Sequence, residues 1–189
     1  MDKLTYYPDY DAKKGVKLKT IDEKIDYLQS RILKILINPL KELLSVRQNS
    51  NKHWDLNIGI VTLICEGLSG LSTYYKGKGK GTKFQNYVND FMSSEFKKNP
   101  YLAKILWKKF RCALSHGFYI ECCAIETNPH KYIDYDQAKD KLSLDLVSFY
   151  KDFESSFWSF IKRLKKQENK EFRKIFKTRF DKVFPSLVH

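Results

Sequence analysis

The sequence predicts an all-α protein, a helical bundle with one small β-hairpin inserted after the fourth helix. Apolar residues recur at helical spacing through most of the chain, whereas the stretch after Gly117 is rich in β-branched and aromatic residues. Proline and glycine are few, with 5 and 8 among 189 residues, which argues against long disordered segments. A chain of this length is expected to form a single domain, residues 1–189, with a sizeable core.

The first helix is expected to begin after Thr20, because Thr20 and Glu23 have the spacing of a capping box. Pro39 is expected to end or kink this helix near Asn38, since proline lacks the amide hydrogen and crowds the preceding turn. The polar, tyrosine-rich residues 1–19 are interpreted as an irregular lead-in. The helical apolar spacing is carried by Ile25, Leu28, Ile32, Ile35 and Leu36.

Three further helices are expected before the hairpin. One covers about residues 54–75 and is followed by the basic, glycine-rich loop YKGKGKGTK. Thr82 and Gln85 have the spacing of a second capping box, which predicts a helix through about Lys97. Pro100 suits the first turn of a fourth helix, PYLAKILWKKFRCAL.

The segments FYIECCAIET and HKYIDY, separated by Asn128 and Pro129, predict the two strands of the hairpin. From LSLDLVSFYKDFESSFWSFIKRLKK onward the chain is expected to be helical again. A final basic helix is expected over 169–189, with Asn169 as its cap. Its apolar stripe is expected to pack on the core and consists of Phe172, Phe176 and Phe180.

The chain is strongly basic, with a formal net charge of +13 and a pI of about 9.5. Such an excess of positive charge favours a polyanionic partner, either nucleic acid or an anionic membrane surface, and nucleic acid is preferred. A solvated basic surface without a partner is the alternative.

The location is expected to be the cytoplasm. The amino-terminal stretch MDKLTYYPDYDAKK has no apolar core of a signal peptide. The apolar stretch NIGIVTLICEGLSGL is interrupted by Glu66 and is too short to span a bilayer, so no membrane association is expected. Four cysteines, including the adjacent Cys122 and Cys123, do not form the pattern of a secreted disulfide framework.

The stretch RCALSHG places Arg111 and His116 five positions apart at the end of the fourth helix. On an uninterrupted helix they would lie about 140° apart and would not share a face. Gly117 favours a helix end at or near His116, which would let the imidazole turn toward Arg111. Alternatively, each pair faces its counterpart across a twofold dimer axis.

Arg111 and His116 have chemistry suited to a phosphodiester. The arginine offers a planar fork of donors and keeps its charge. The histidine accepts or donates a proton near neutral pH. Together they suffice to cleave RNA without a metal, because the histidine moves the proton and the arginine stabilises charge on the phosphate.

At these residues the sequence resembles the HEPN superfamily, over about residues 20–165. Many members are metal-independent endoribonucleases marked by an arginine, four to six residues and a histidine, and the segment Arg111 to His116 fits the shortest spacing. The order of a long helix, LICEGLSGLSTYY, a basic glycine-rich loop and FRCALSHGF is also similar. Many active members carry Asn, Asp or His after the arginine, where this chain has Cys112, a poorer hydrogen-bonding group.

The resemblance implies a HEPN-like helical bundle that forms a homodimer, with catalytic Arg111 and His116 at the interface. It also implies a toxin or phage-defence effector, with an antitoxin or other regulatory protein as partner. Glu66 is expected either to orient Arg111 or His116, or to be a partly exposed helix position.

The neighbouring lysines and a tyrosine are candidate RNA contacts. Lys108 and Lys109 are expected to bind RNA phosphates beside the motif or to be simply solvated. Lys78 and Lys80 lie in the basic loop, which lacks the order of a P-loop but is a candidate for RNA binding. Tyr119 is expected either to stack on a base or to be buried in the hairpin.

No metal and no cofactor are expected. The set Cys112, His116, Cys122, Cys123 and His130 contains no C-x-x-C pair, and adjacent cysteines on a strand point to opposite faces. The chemistry of Arg111 and His116, together with the resemblance to HEPN proteins, implies a metal-independent endoribonuclease acting on single-stranded RNA. A non-catalytic HEPN module that binds RNA or a partner protein is the alternative, and a structural dimerisation domain is a weaker one.

Overall fold

The computed structural model describes residues 17–48, 54–112, 123–126 and 132–188. The described chain is mostly helical with one small sheet, which confirms the expected all-α class with a hairpin. Two π-helical segments, Leu33–Ile37 and Trp107–Cys112, and a 3₁₀ turn, Pro185–Leu187, join the regular elements. The helices are α1 Ile21–Ile32, α2 Asn38–Gln48, α3 Trp54–Ser72, α4 Lys80–Phe91, α5 Ser94–Lys98, α6 Tyr101–Leu106, α7 Leu146–Lys165 and α8 Lys170–Val183.

Helix α1 begins at the capping box that the sequence predicts. The Thr20 hydroxyl accepts from the amide of Glu23 at 3.2 Å, and the Glu23 carboxylate accepts from the amide of Thr20 at 2.8 Å. At its other end α1 continues through the π-helical segment Leu33–Ile37 directly into α2, so the helical path does not end at Pro39. A wider turn at this point accommodates a proline ring that an ordinary helix would crowd.

The third predicted helix is divided in two, and its predicted capping box is wrong. Helix α4 begins at Lys80, behind Gly79, so Thr82 lies inside the helix instead of before it. The helix ends at Phe91, and the short α5 follows. A residue distant in sequence stabilises the break between α4 and α5, since the Asp152 carboxylate accepts a hydrogen bond from the Ser93 backbone amide at 3.0 Å. No local pattern could reveal this partner.

Within the described residues the sheet contains three strands, β1 Cys123–Glu126, β2 Ile133–Asp136 and β3 Lys141–Asp145, in the order β1-β3-β2. Strand β3 pairs antiparallel with β2 and parallel with β1. The expected pairing of FYIECCAIET with HKYIDY is therefore wrong, because the hairpin joins β2 to β3. The start of LSLDLVSFYK, expected to be helical, instead lies in β3, and α7 begins only after Asp145.

The core surrounds α7, whose buried face is largely aromatic. Helix α8 packs its predicted stripe inward, and Phe172, Phe176 and Phe180 are all buried. Asn169 precedes α8 but makes no side-chain cap. Its side-chain amide donates instead to the backbone carbonyl of Arg163. The helix ends at Val183, short of the predicted end at residue 189.

The expected lead-in lies mostly outside the described residues, of which only 17–19 belong to it, and these are not helical. The amide of Leu18 donates to the carbonyl of Leu187 at 2.8 Å, so the two ends of the described chain meet. Among the described helices, none combines the length and apolar character that a membrane span requires.

Candidate functional site

A cleft of about 300 Å³ lies between α3, α4 and the π-helical segment Trp107–Cys112. Helix α3 and the turn after it contribute small and hydroxyl-bearing residues together with Glu66. Helix α4 contributes two lysines, and the π-helical segment contributes Arg111. The lining residues are Glu66, Ser69, Gly70, Ser72, Thr73, Lys80, Lys83 and Arg111.

Arg111 rests on an aromatic platform. Its guanidinium carbon lies 4.8 Å from the centre of the Trp107 ring, a distance at which a cation–π interaction is favourable. The Trp107 ring packs in turn against Phe84, with ring centres 5.0 Å apart, and against Gly81. A Cβ atom at position 81 would lie 3.2 Å from the indole nitrogen, so glycine allows the close approach. The platform fixes the guanidinium beside the cleft.

The Arg111 side chain is only 16% exposed, yet its donors are incompletely used by the described residues. Among the described residues, Oε2 of Glu66 lies 3.9 Å from Nη2, which is too long for a hydrogen bond. Glu66 is 47% exposed, so water screens this pair and weakens it. Nε is buried and has no hydrogen-bond partner among the described residues. Because Glu66 is not at hydrogen-bond distance, the terminal nitrogen Nη2 retains capacity to bind an anion.

Lys80 and Lys83 place two more cations on the wall of the cleft. Burial lowers the pKa of Lys83, and the charges of Arg179 and Lys182 on α8 lower it further. Among the described lining residues, Lys80, Lys83 and Arg111 oppose one carboxylate, that of Glu66. A cleft with this balance of charge is suited to a phosphate group, and its serine and threonine hydroxyls add further hydrogen-bonding groups.

The start of the glycine-rich loop is anchored from α8. Arg179 donates to the carbonyl oxygens of Thr73 at 2.9 Å and of Gly77 at 3.2 Å, and also to the carbonyl of Tyr75. Gly77 has a φ of +134°, a conformation that residues with a side chain rarely adopt. These contacts set the path of the chain into α4, and so the position of Lys80.

The structure brings together three of the predicted site residues, Arg111, Glu66 and Lys80. Lys78 is exposed in the loop and Lys108 is exposed on the π-helical segment, and neither lines the cleft. Lys109 pairs with Asp140, with Nζ and Oδ2 2.6 Å apart. His116 and Tyr119 lie outside the described residues.

Sequence reasoning missed Lys83 and Trp107. Both stand at helical spacing from residues that it identified, Lys83 three positions after Lys80 and Trp107 four positions before Arg111. This spacing places side chains on one face of a helix and was the available signal. Ser69 and Thr73, three and seven positions after Glu66, lie at the same kind of spacing and were missed as well.

Comparisons of the chain with protein-family models, with curated proteins and with solved structures found no match.

Proposed function

We propose that the protein is a metal-independent endoribonuclease that cleaves single-stranded RNA through Arg111 and His116. The observation that carries the proposal is the Arg111 guanidinium, stacked on Trp107 beside a cleft that also contains Lys80 and Lys83. Three cations around one small cleft favour a phosphodiester as ligand. The resemblance to HEPN proteins supplies the catalytic role of His116.

In the proposed reaction the 2′-oxygen of the substrate attacks the adjacent phosphorus while the bond from phosphorus to the 5′-oxygen breaks. His116 takes the proton of the 2′-hydroxyl or protonates the leaving 5′-oxygen, and solvent exchanges the other proton, so the proton lost by the 2′-oxygen balances the one gained by the 5′-oxygen. Arg111, aided by Lys80 and Lys83, stabilises the charge that develops on the phosphate oxygens. The products are a 2′,3′-cyclic phosphate and a 5′-hydroxyl, and the step consumes no water.

The site is proposed to form at a homodimer interface, because a helix would place Arg111 and His116 on different faces of one chain. A toxin or phage-defence role, with a neutralising partner protein, follows from the resemblance alone, and the proposed location is the cytoplasm. The expected oligomer is a twofold dimer. A fully active monomer at micromolar concentration, measured by light scattering, would refute the shared site.

A non-catalytic RNA-binding module is the second candidate. The observation that favours it is the composition of the described cleft, whose three cations would suffice to bind a phosphate without any chemical step. Cys112, in place of the Asn, Asp or His of many active HEPN proteins, points the same way.

Cleavage of single-stranded RNA in EDTA separates the two candidates. The parent protein is expected to cut, with cyclic-phosphate ends detected by mass spectrometry. His116→Ala should abolish cleavage and change the affinity for RNA little, whereas Arg111→Ala should reduce both. Cleavage that disappears in EDTA and returns with a divalent metal would refute the mechanism. If the parent binds RNA without cutting it and Arg111→Ala alone loses RNA, the binding module is correct.

A further inference from the structure

Positive charge continues from the cleft onto α8. Lys83 lines the cleft from α4, and its charge interacts with those of Arg179 and Lys182. Arg179 and Lys182 are three residues apart, a spacing that makes them neighbours on the helix surface. We call the three residues Lys83, Arg179 and Lys182 the cationic ridge.

The ridge is a built feature, because Arg179 holds it to the loop before α4. Its guanidinium donates to carbonyl oxygens at positions 73, 75 and 77, which ties α8 to the chain leading into α4. The backbone nitrogen of Lys83 would lie 3.0 Å from a Cβ atom at position 77, so Lys83 packs against the same turn. Carbonyl groups satisfy the donors of Arg179 but leave its positive charge uncompensated.

Carboxylates do not neutralise the ridge within the described part of the chain. Lys177, on the same helix, pairs with Asp181 at 2.7 Å, and Lys24 pairs with the same carboxylate. None of the three ridge residues forms an ion pair with a carboxylate of the described residues. Gathering like charges costs free energy, and a bound polyanion offsets this cost by releasing its counterions.

We propose that single-stranded RNA places one phosphate in the cleft and a neighbouring phosphate of the same strand on the ridge. Lys182 then binds the substrate outside the cleavage site. This inference rests on the proposed RNA-binding cleft but does not depend on cleavage. RNA is the occupant that the charges favour, because the ridge continues a cleft sized for a phosphate group and its immediate surroundings. The protein therefore recognises an RNA strand of several nucleotides and discriminates against a dinucleotide.

The experiment compares Lys182→Ser with Lys170→Ser in the full chain. Lys170 is also exposed on α8, but it lies about 18 Å away along the helix axis. The ligand is a fluorescent ten-nucleotide RNA with 2′-O-methyl groups, which cannot undergo attack by a 2′-hydroxyl. Affinity is measured by anisotropy at several salt concentrations, and a two-nucleotide analogue provides the short ligand. Circular dichroism verifies that both variants are folded.

Lys182→Ser is expected to weaken binding of the ten-nucleotide RNA and to reduce the slope of log K against log salt by about 0.7, the loss of one single-strand phosphate contact. Lys170→Ser should leave the slope unchanged, and the dinucleotide should not distinguish the variants.

Equal slopes for Lys182→Ser and the parent would overturn the proposal. Binding of vesicles containing phosphatidylserine, lost in Lys182→Ser while RNA binding persists, would overturn it in favour of a membrane surface. If the parent binds neither RNA nor vesicles, the proposed function fails and the inference fails with it. If the RNA is bound and Lys182 contributes but no RNA is cut, the inference stands and only the ribonuclease assignment fails.

Discussion

Lys109 and Asp140 join the segment that carries Arg111 to the turn between β2 and β3, with Nζ and Oδ2 2.6 Å apart. The other oxygen of Asp140 accepts from the Tyr135 hydroxyl at 2.5 Å. Asp140 has a φ of +48°, in the left-handed region that aspartate tolerates better than most residues. The sheet therefore anchors the π-helical segment through Lys109, two residues before Arg111.

This contact predicts a pH dependence. Lys109, followed by Tyr135, holds the pKa of Asp140 below its ordinary value of 3.8. A carboxyl whose pKa is lowered by folding contributes stability above the unfolded pKa and loses it as the pH falls through the folded one. Lys109→Met should therefore raise the pKa of Asp140 toward 3.8, as measured by NMR titration of the carboxyl carbon. Lys108→Met, at the exposed neighbour, is the control, and an unchanged Asp140 in Lys109→Met would contradict the contact.

Trp107 is predicted to support RNA binding through Arg111. Trp107→Leu removes the ring beneath the guanidinium. The binding free energy for RNA should weaken by about 1 kcal/mol, which is roughly fivefold in affinity. Trp107→Phe retains an aromatic face and should lose less. Anisotropy with an uncleavable RNA measures both, after circular dichroism has verified folding. Equal affinities for the leucine and phenylalanine variants would show that the stack contributes only packing.

Glu66→Gln should separate binding from turnover. The carboxylate adds negative charge to a cleft proposed to hold phosphate, so its removal should tighten RNA binding. The same change removes the charged neighbour of Arg111, 3.9 Å away, and should lower kcat if Glu66 orients the guanidinium. Steady-state kinetics with cleavable RNA would show a lower KM together with a lower kcat. A weaker affinity would indicate that Glu66 itself contacts the substrate.

Gly67 is predicted to be intolerant of any side chain. A Cβ atom there would collide with Leu36 and would lie 2.8 Å from a ring carbon of Phe153, because α3 packs closely on its neighbours. Gly67→Ala should lower the free energy of unfolding by about 1–3 kcal/mol in urea denaturation. Gly59→Ala, on the same helix with open space around it, should raise stability by up to about 1 kcal/mol. Equal stabilities of the two variants would contradict the close packing.

Local sequence signals predicted several features that depend on neighbours in the chain, although the Thr82–Gln85 spacing misplaced the start of α4. The Thr20–Glu23 capping box and the phenylalanine stripe of α8 follow from spacing alone, and both are confirmed. The break before α5 and the strand β3 depend on contacts from distant residues, such as Asp152 with Ser93, and spacing could not reveal them. At the candidate site, the motif position identified Arg111. The platform of Trp107 and Gly81 and the clamp of Arg179 needed the tertiary structure.

The clamp of Arg179 also bears on the order of events during synthesis. Its carbonyl partners at positions 73, 75 and 77 precede it by more than 100 residues. A chain emerging from the ribosome amino terminus first exposes the loop long before α8 exists to hold it. The cationic surface is thus completed only after the chain has grown more than 100 residues past Gly77. A nascent chain surrounded by ribosomal RNA lacks that finished surface until the α8 residues that complete it have been made.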